Sequence, residues 1–461
     1  MRNTRPKIVV IGAGSASFGL TNLGAIMRTE ALHGATLSLC DLNEQGLAEI
    51  LRLAERINDE WGSEMTIEAS TDRCALLPGA DFVILSVAID REKCWQADYD
   101  LGKKFGLIHY AENGGPGGFF HAARNITMLR PVLRDIERLS GDAIVLSFTN
   151  PVTRICTAAA RDTSLNMVGI CHQIDFGYMM AGRLLADTLD LAVKPGYLYR
   201  WDRAHLEAAD KISTAARERL SIRAAGLNHF TWFLSIKDRL TGEELLPRFL
   251  EIFLAQHEFE PYTRDMIDVF GVCPVAGDAH FLEYLPYTGN MNRTGWDRYD
   301  IQMYPLSDQA GRRNEMWERI SAMAGGRLPI EDLRHVHTER AETMITALWD
   351  GTNEYDYAVN IPNTDGFISN LARDAIVEVP ATLGLHGIQG VAVGDLPRVP
   401  AAFCSRQVDI VEMAVRAILD GDRKLALESL ALDPMIDDLD VARAMLNDGL
   451  DIFREYLPQF H

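Results

Sequence analysis

Lys7-Ile-Val-Val-Ile-Gly-Ala-Gly-Ser-Ala-Ser-Phe-Gly19 decides the fold. An apolar run, Ile8–Ile11, enters a turn with glycine at 12 and 14 and passes into a helical pattern. Glycine at 12 permits a tight turn, and glycine at 14 lets the backbone approach a pyrophosphate. The helix start then offers free N–H groups and the positive end of its dipole. Gly19 stands later than the third glycine of GxGxxG, so the loop by itself also reads as an ordinary glycine-rich turn. Ser15 and Phe18 join Gly12 and Gly14 as candidate cofactor contacts. The next strand ends in Cys40-Asp41. A carboxylate there accepts both ribose hydroxyls and repels a 2′-phosphate, which favours NAD over NADP.

Outward from this loop the first half alternates. Lys7–Ile11, Ala35–Cys40, Met65–Ala69, Asp81–Val87, Ala143–Phe148 and Met167–Ile170 read as strands, most of them apolar throughout. Parallel strands covered on both faces have that composition. Phe18–Arg28, Asn43–Trp61, Arg91–Phe105, Phe120–Leu139 and Phe176–Leu189 carry helical spacing. The rhythm is that of an α/β, Rossmann-type, doubly wound parallel sheet. After about residue 195 it changes, with strands near Ser221–Ala225 and Phe230–Lys237 and a mostly helical region from Arg406. We expect a dinucleotide-binding domain over 1–195 and an α+β catalytic domain over 196–461, closely packed because no flexible linker separates them.

Composition narrows the function. The 461 residues carry a formal net charge of −20, with 47% hydrophobic and 24% charged residues. So acidic a chain is a poor partner for nucleic acid or an anionic membrane, and an anionic substrate would need local cations. Seven cysteines without repeated spacing fit a reducing compartment. The basic N-terminus and following apolar run resemble a secretion signal, but Gly12 and Gly14 interrupt the run, and no segment reaches the ~20 apolar residues of a membrane span. The expected location is the cytoplasm.

Chemistry-bearing residues gather at predicted strand ends. Asn150-Pro151 closes one strand; the amide can bond cofactor or substrate, or the pair can simply be a turn. Cys171-His172 closes another, and Asn228-His229 follows Gly226. A thiolate and an imidazole can hold a divalent ion against sugar oxygens, although a lone Cys or His at a strand end is more often structural. The stretch from Tyr110 through Glu112, Asn113 and Gly114–Gly118 to His121 and Arg124 reads as a glycine loop able to approach a ligand. Asp278, His280 and Glu283 offer proton-transfer groups within one segment, with Asp278 as a helix cap the plainer alternative.

Together these motifs resemble glycoside hydrolase family 4, the NAD-dependent, metal-requiring glycosidases related to lactate and malate dehydrogenases. The likeness rests on the Gly12-Ala-Gly14-Ser15 loop, Asp41, Gly115–Gly118 with Arg124, Thr149-Asn150-Pro151, Gly169–His172, Gly226–His229 and Asp278–Tyr284. Gly226–Trp232 and Ala276–His280 bring it nearest the branches acting on unphosphorylated α-glycosides, α-galactosidases and especially α-galacturonidases. The resemblance implies a lactate/malate dehydrogenase-like second domain. It implies NAD and Mn²⁺ or another divalent metal as cofactors, a small glycoside as substrate, and a homodimer or homotetramer. It also implies transient oxidation at C3, deprotonation at C2, elimination of the aglycone and addition of water, a recognised exception to two-carboxylate glycosidases.

By the same resemblance Cys171 and His229 are the metal ligands, with sugar O2 and O3 completing the sphere. His172 is the general acid. Asp278 is the C2 base, with His280 second and Glu112 among the catalytic candidates. Asn113, His121, Arg124, Asn150 and Asn228 are candidate substrate contacts, and Asn150 also a cofactor contact. Phosphosugar branches use a Tyr as base in this segment; its absence from the base position argues against a phosphorylated substrate. Glu112-Asn113, His121 and Cys171-His172-Gln173 depart from the named branches, so a different C6 anion, as in the NAD-dependent sulfoquinovosidases, is an alternative. Two readings from other classes are a lactate/malate-type dehydrogenase, which would accumulate NADH, and a non-catalytic NAD sensor.

Overall fold

The structure is a computed structural model. It describes residues 5–108, 112–192, 198, 200, 202–289, 298–301, 304, 306–336, 338 and 340–461. Six parallel strands build the first half: β1 (Lys7–Ile11), β2 (Thr36–Cys40), β3 (Thr66–Ser70), β4 (Phe82–Leu85), β5 (Ile144–Ser147) and β6 (Asn166–Gly169). Their order is β3-β2-β1-β4-β5-β6, in register from Ile11↔Cys40 and Ile11↔Leu85 to Ser147↔Gly169. β4 is buried along its whole length because helices cover both faces. This is the doubly wound arrangement that the alternating pattern predicts.

The second half is antiparallel and extends the same sheet. β7 (Leu220–Leu227) and β8 (Phe230–Asp238) form a hairpin; β9 (Glu354–Pro362), β10 (Ile376–Gly384) and β11 (Gly387–Gly390) complete the sheet. The order continues β6-β9-β10-β7-β8, with Gly169 of β6 paired to Asn360 of β9. The expected junction at 195/196 lies outside the described residues. β9 to β11 are not in the sequence reading. Pro380 interrupts β10, and the pairing with β9 shifts between Val379 and Ala381 to accommodate it, so the apolar run reads poorly as a strand. The C-terminal part is helical as expected, with Arg398–Asp420, Arg423–Leu432 and Leu439–Ile452.

Two helices differ from expectation where they matter. The first helix is two pieces, Ala16–Leu20 and Asn22–Arg28, because Thr21 bonds back to the Ser17 carbonyl at 2.7 Å and leaves helical geometry. The helix expected to begin at Phe120 begins at Gly115 and runs to Ser140. The run Gly115–Gly118 is therefore its first turn rather than a loop. A Cβ on Gly118 would lie 2.5 Å from Arg154 Nη1, so close packing explains that glycine. No described helix is long and apolar enough to cross a membrane.

Candidate active site

The strand order reverses between β1 and β4, which opens a crevice at the carboxyl edge of the sheet. The loop after β1 lies there. Gly12 has φ +99°, and a Cβ on it would collide with the Ser86 carbonyl. Gly14 donates its N–H to Asp41 Oδ2 at 2.8 Å, and Asp41 Oδ1 accepts from Asn43 N–H at 2.8 Å. Asp41 at the end of β2 thus fixes the loop that follows β1. Ser15 Oγ accepts from Phe18 N–H at 3.2 Å and caps the short helix. Phe18 itself is 1% exposed in the core, so the expectation of a cofactor contact from its side chain is corrected. A Cβ at 12 or 14 would strike Ser86 or Asp41, so the glycines let the loop pack tightly on the neighbouring strand ends, and the loop fits a dinucleotide.

Cys171 follows β6, and His229 occupies the two-residue turn between β7 and β8 with φ +60°. A left-handed histidine is uncommon, and the hairpin that holds it there aims the ring at the end of β6. Cys171 Sγ and His229 Nε2 stand 3.4 Å apart, both buried. The Asn113 amide lies 2.7 Å from His229 Nδ1. A half-turn exchanges the amide's oxygen and nitrogen; with oxygen accepting from Nδ1–H, the Nε2 lone pair faces the thiol. Burial, then the nearby His280 and His172, hold the His229 pKa well below its ordinary value. A neutral imidazole beside a thiol is a donor set that fits a divalent metal.

His280 lies beside His229, ring centroids 4.2 Å apart. Its Nδ1 is 3.3 Å from Glu283 Oε1 and 3.8 Å from Glu112 Oε2. Glu112, His229, His280 and Glu283 bring ligand-type atoms within 4.8 Å of one another. Glu283 is nevertheless an anchor: its Oε2 accepts from Asn113 N–H at 2.6 Å and Gly114 N–H at 3.0 Å. Asn150 donates its amide to Glu112 Oε1. Burial pushes the Glu112 carboxyl up, against the pull of His280. Burial lowers the His280 pKa, but the Glu283 hydrogen bond and Glu112 more than offset this and leave it raised. Glu283 sits one helical turn beyond His280, the only sequence signal that could have marked it as its partner.

Several expected site residues point elsewhere. Asp278 accepts from Tyr262 N–H at 3.0 Å and Thr263 N–H at 2.7 Å, capping the helix Pro261–Phe270. Its carboxylate is engaged there, which corrects the assignment as C2 base. Arg124 is corrected as a substrate contact: it makes a two-pronged, fully buried pair with Asp98 at 2.9 and 2.6 Å and lies over the Phe453 ring. His121 is 5% exposed, its Nδ1 3.2 Å from the Glu112 carbonyl, and it supports the loop from behind. Asn228 donates inward to Glu378 at 2.9 Å, and Glu378 also accepts from Thr231 and Asn360. Asn113 serves His229 rather than open space. Tyr110 lies outside the described residues.

A cavity of ≈190 Å³ opens beside this cluster, with Cys171, His172, His229 and His280 at one end. His172 is exposed into it, directly before the helix Gln173–Leu184. The helix Arg203–Arg219 forms the opposite wall. Fold and site together define an α/β protein with a dinucleotide-type loop and a thiol–imidazole pair at one sheet edge. Residues 7–188 match the family 4 glycosyl hydrolase model, and residues 224–436 match the family 4 glycosyl hydrolase C-terminal domain. The chain belongs to that family, and it is an enzyme of the glycosidase class rather than a dehydrogenase. It is 29% identical over 470 residues to an alpha-glucosidase of Erwinia rhapontici, covering 93% of each chain. It is 26% identical to an alpha-galactosidase of Bacillus subtilis, again covering 93% of each. A 6-phospho-alpha-glucosidase from gut microorganisms, solved in complex with NAD and Mn²⁺, has the same fold at TM-score 0.79 and 20% identity, covering 99% of this chain and 100% of that one.

Proposed function

We propose that the protein hydrolyses an unphosphorylated α-glycoside by the oxidation–elimination route, with NAD⁺ at the Gly12–Ser15 loop and Asp41 and a divalent metal on Cys171 and His229. The observation that carries this is the Cys171 Sγ to His229 Nε2 approach of 3.4 Å with His280, Glu112 and Glu283 beside it. The relatives named alpha-glucosidase and alpha-galactosidase support the substrate class. When bound, NAD⁺ supplies reversible hydride acceptance at C3, and Mn²⁺ supplies charge stabilisation at the sugar oxygens. The rest falls to side chains. With Nδ1–H directed to Glu283, His280 keeps Nε2 as the basic nitrogen and takes the C2 proton, in place of Asp278. His172 protonates the leaving oxygen from the cavity wall. Glu112, held by Asn150, keeps a carboxyl beside His280 and favours its charged form after proton transfer.

The test uses the full chain with NAD⁺, Mn²⁺ and aryl α-glycosides. Hydrolysis is expected without net NADH, with the C2 hydrogen exchanging into deuterated solvent. Chelation should abolish turnover and Mn²⁺ restore it. Steady NADH accumulation, or full activity in chelator, would overturn the reading.

A further inference from the structure

The cavity continues past the histidines between the helices Gln173–Leu184 and Arg203–Arg219. Two polar side chains that line it have no hydrogen-bond partner among the described residues. Gln173 is 5% exposed, and neither its Oε1 nor its Nε2 is hydrogen-bonded. Ser213 is 3% exposed and its Oγ is likewise unpaired. A buried amide or hydroxyl without a partner is costly unless a ligand or water satisfies it. Gln173 begins one helix and Ser213 faces it from the other, so the orphan groups come from both walls of one cavity.

We infer that Gln173 and Ser213 bind hydroxyl groups of a neutral sugar unit, and that this cavity disfavours a carboxylate or sulfonate. An amide and a hydroxyl each donate and accept, as a sugar hydroxyl does. Phe176, Met179 and Leu206 supply apolar wall for the C–H face of a pyranose ring, the usual mixture of apolar lining and few placed polar groups. Apart from the histidines at one end, the charges that line the cavity are of one sign. Asp210 stands exposed at its edge, and Asp175 is paired to Arg217, which sits behind it. Among the described lining residues none is Arg or Lys. Away from the histidine end, an anionic sugar would meet Asp210 and the Asp175–Arg217 pair, with no Arg or Lys among the described lining residues to receive it. The inference rests on the glycosidase reading and selects among its substrates.

Kinetics on 4-nitrophenyl α-glucoside and α-galactoside, against the corresponding uronides and α-sulfoquinovoside, test it. Wild type should favour a neutral substrate. Ser213→Ala and Gln173→Leu should each lower kcat/KM on it about tenfold, mainly through KM. Asp210→Lys, at an exposed position, should raise the anionic-to-neutral ratio by roughly tenfold. A wild-type preference for an anionic glycoside overturns the inference, as does an unchanged KM in both Ser213→Ala and Gln173→Leu. Calorimetric titration with glucose, galactose and their uronic acids needs no turnover. Neutral-sugar binding weakened in both variants sustains the subsite even where no glycoside is hydrolysed, in which case only the glycosidase reading fails. Hydrolysis with binding unaltered in both variants removes the subsite and leaves that reading intact.

Discussion

In the parallel half, from β1 to β6, the cofactor loop is shaped by backbone: Gly12 at φ +99°, the Gly14 N–H on Asp41, and strand ends that stop at one edge, where Cys171 and His172 follow β6. In the antiparallel half it is made by side chains held on turns and short helices, His229 in a two-residue hairpin turn and His280 one turn before Glu283. The seam between the halves is bonded with some redundancy. Asn360 of β9 reaches Gly169 of β6 at 3.3 Å and Glu378 of β10 at 3.0 Å, and Glu378 holds Asn228 beside His229. On the proposed reading the parallel half sets where a cofactor lies and the antiparallel half supplies the base at C2, and the seam keeps the two in register. Substitutions on the two sides should therefore separate binding from chemistry.

The largest effect should come from His280. His280→Gln is expected to lower kcat by about 10²–10⁴-fold and to suppress solvent exchange at C2, with NAD affinity unchanged. Asp278→Asn is the matched control from the same segment. It weakens the cap on Pro261–Phe270, costing roughly 0.5–2 kcal/mol of stability, while the folded fraction keeps its exchange. If Asp278→Asn lost exchange and His280→Gln kept it, the division between proton transfer and capping would be reversed.

A smaller effect is expected one bond further out. Asn113 bridges the halves, its N–H on Glu283 and its amide on His229 Nδ1. Asn113→Ala should weaken Mn²⁺ affinity by about 10–100-fold, because the imidazole loses the group that fixes its tautomer. Saturating Mn²⁺ should recover most of kcat. Metal titration followed by electron paramagnetic resonance reads this directly; unchanged affinity would place Asn113 outside the metal's support.

How much of this was legible follows the same division. Backbone requirements leave sequence marks, so Gly12, Gly14 and Asp41 announce the loop, and the alternation of apolar strands announces the parallel sheet. Cys171 and His229 were legible as residue types, but they are 58 residues apart in the chain, and their approach depends on where the β7–β8 hairpin sits against the end of β6. Asp278 and Glu283 are two acids five positions apart in one segment, and nothing in their spacing says which faces the site. The outcome is set by Tyr262 and Thr263, whose free helix-end N–H groups claim Asp278. Arg124 misled for a related reason: its partner Asp98 lies on the neighbouring helix, and the pair is sealed from solvent. Gln173 and Ser213 became visible only when two helices were seen to share a cavity.

The smallest effect concerns the support beneath the antiparallel half. Glu260 accepts the Asp278 N–H at 2.6 Å, and its φ of +45° turns its carboxyl back towards that segment. Burial, and then the charge of Asp278, push the Glu260 carboxyl up; burial pushes Asp278 up against the N–H groups that it accepts. A carboxyl whose folded value is raised binds protons more readily folded than unfolded. Its contribution to stability is complete at pH below the unfolded value and is lost as pH rises through the folded one. Glu260→Gln keeps a carbonyl acceptor for the Asp278 N–H and never ionises. The variant should match or trail wild type in acid and gain on it as pH rises, reaching about 1 kcal/mol, roughly 1–3 °C in Tm, above neutrality. Other buried acids, Asp98 and Asp433 among them, are shifted in the same direction, so wild-type Tm by itself is no test. The difference between variant and wild type is. A gap that stays constant from pH 5 to 8.5 would mean that Glu260 holds Asp278 by geometry and that its charge is of no consequence to the site it supports.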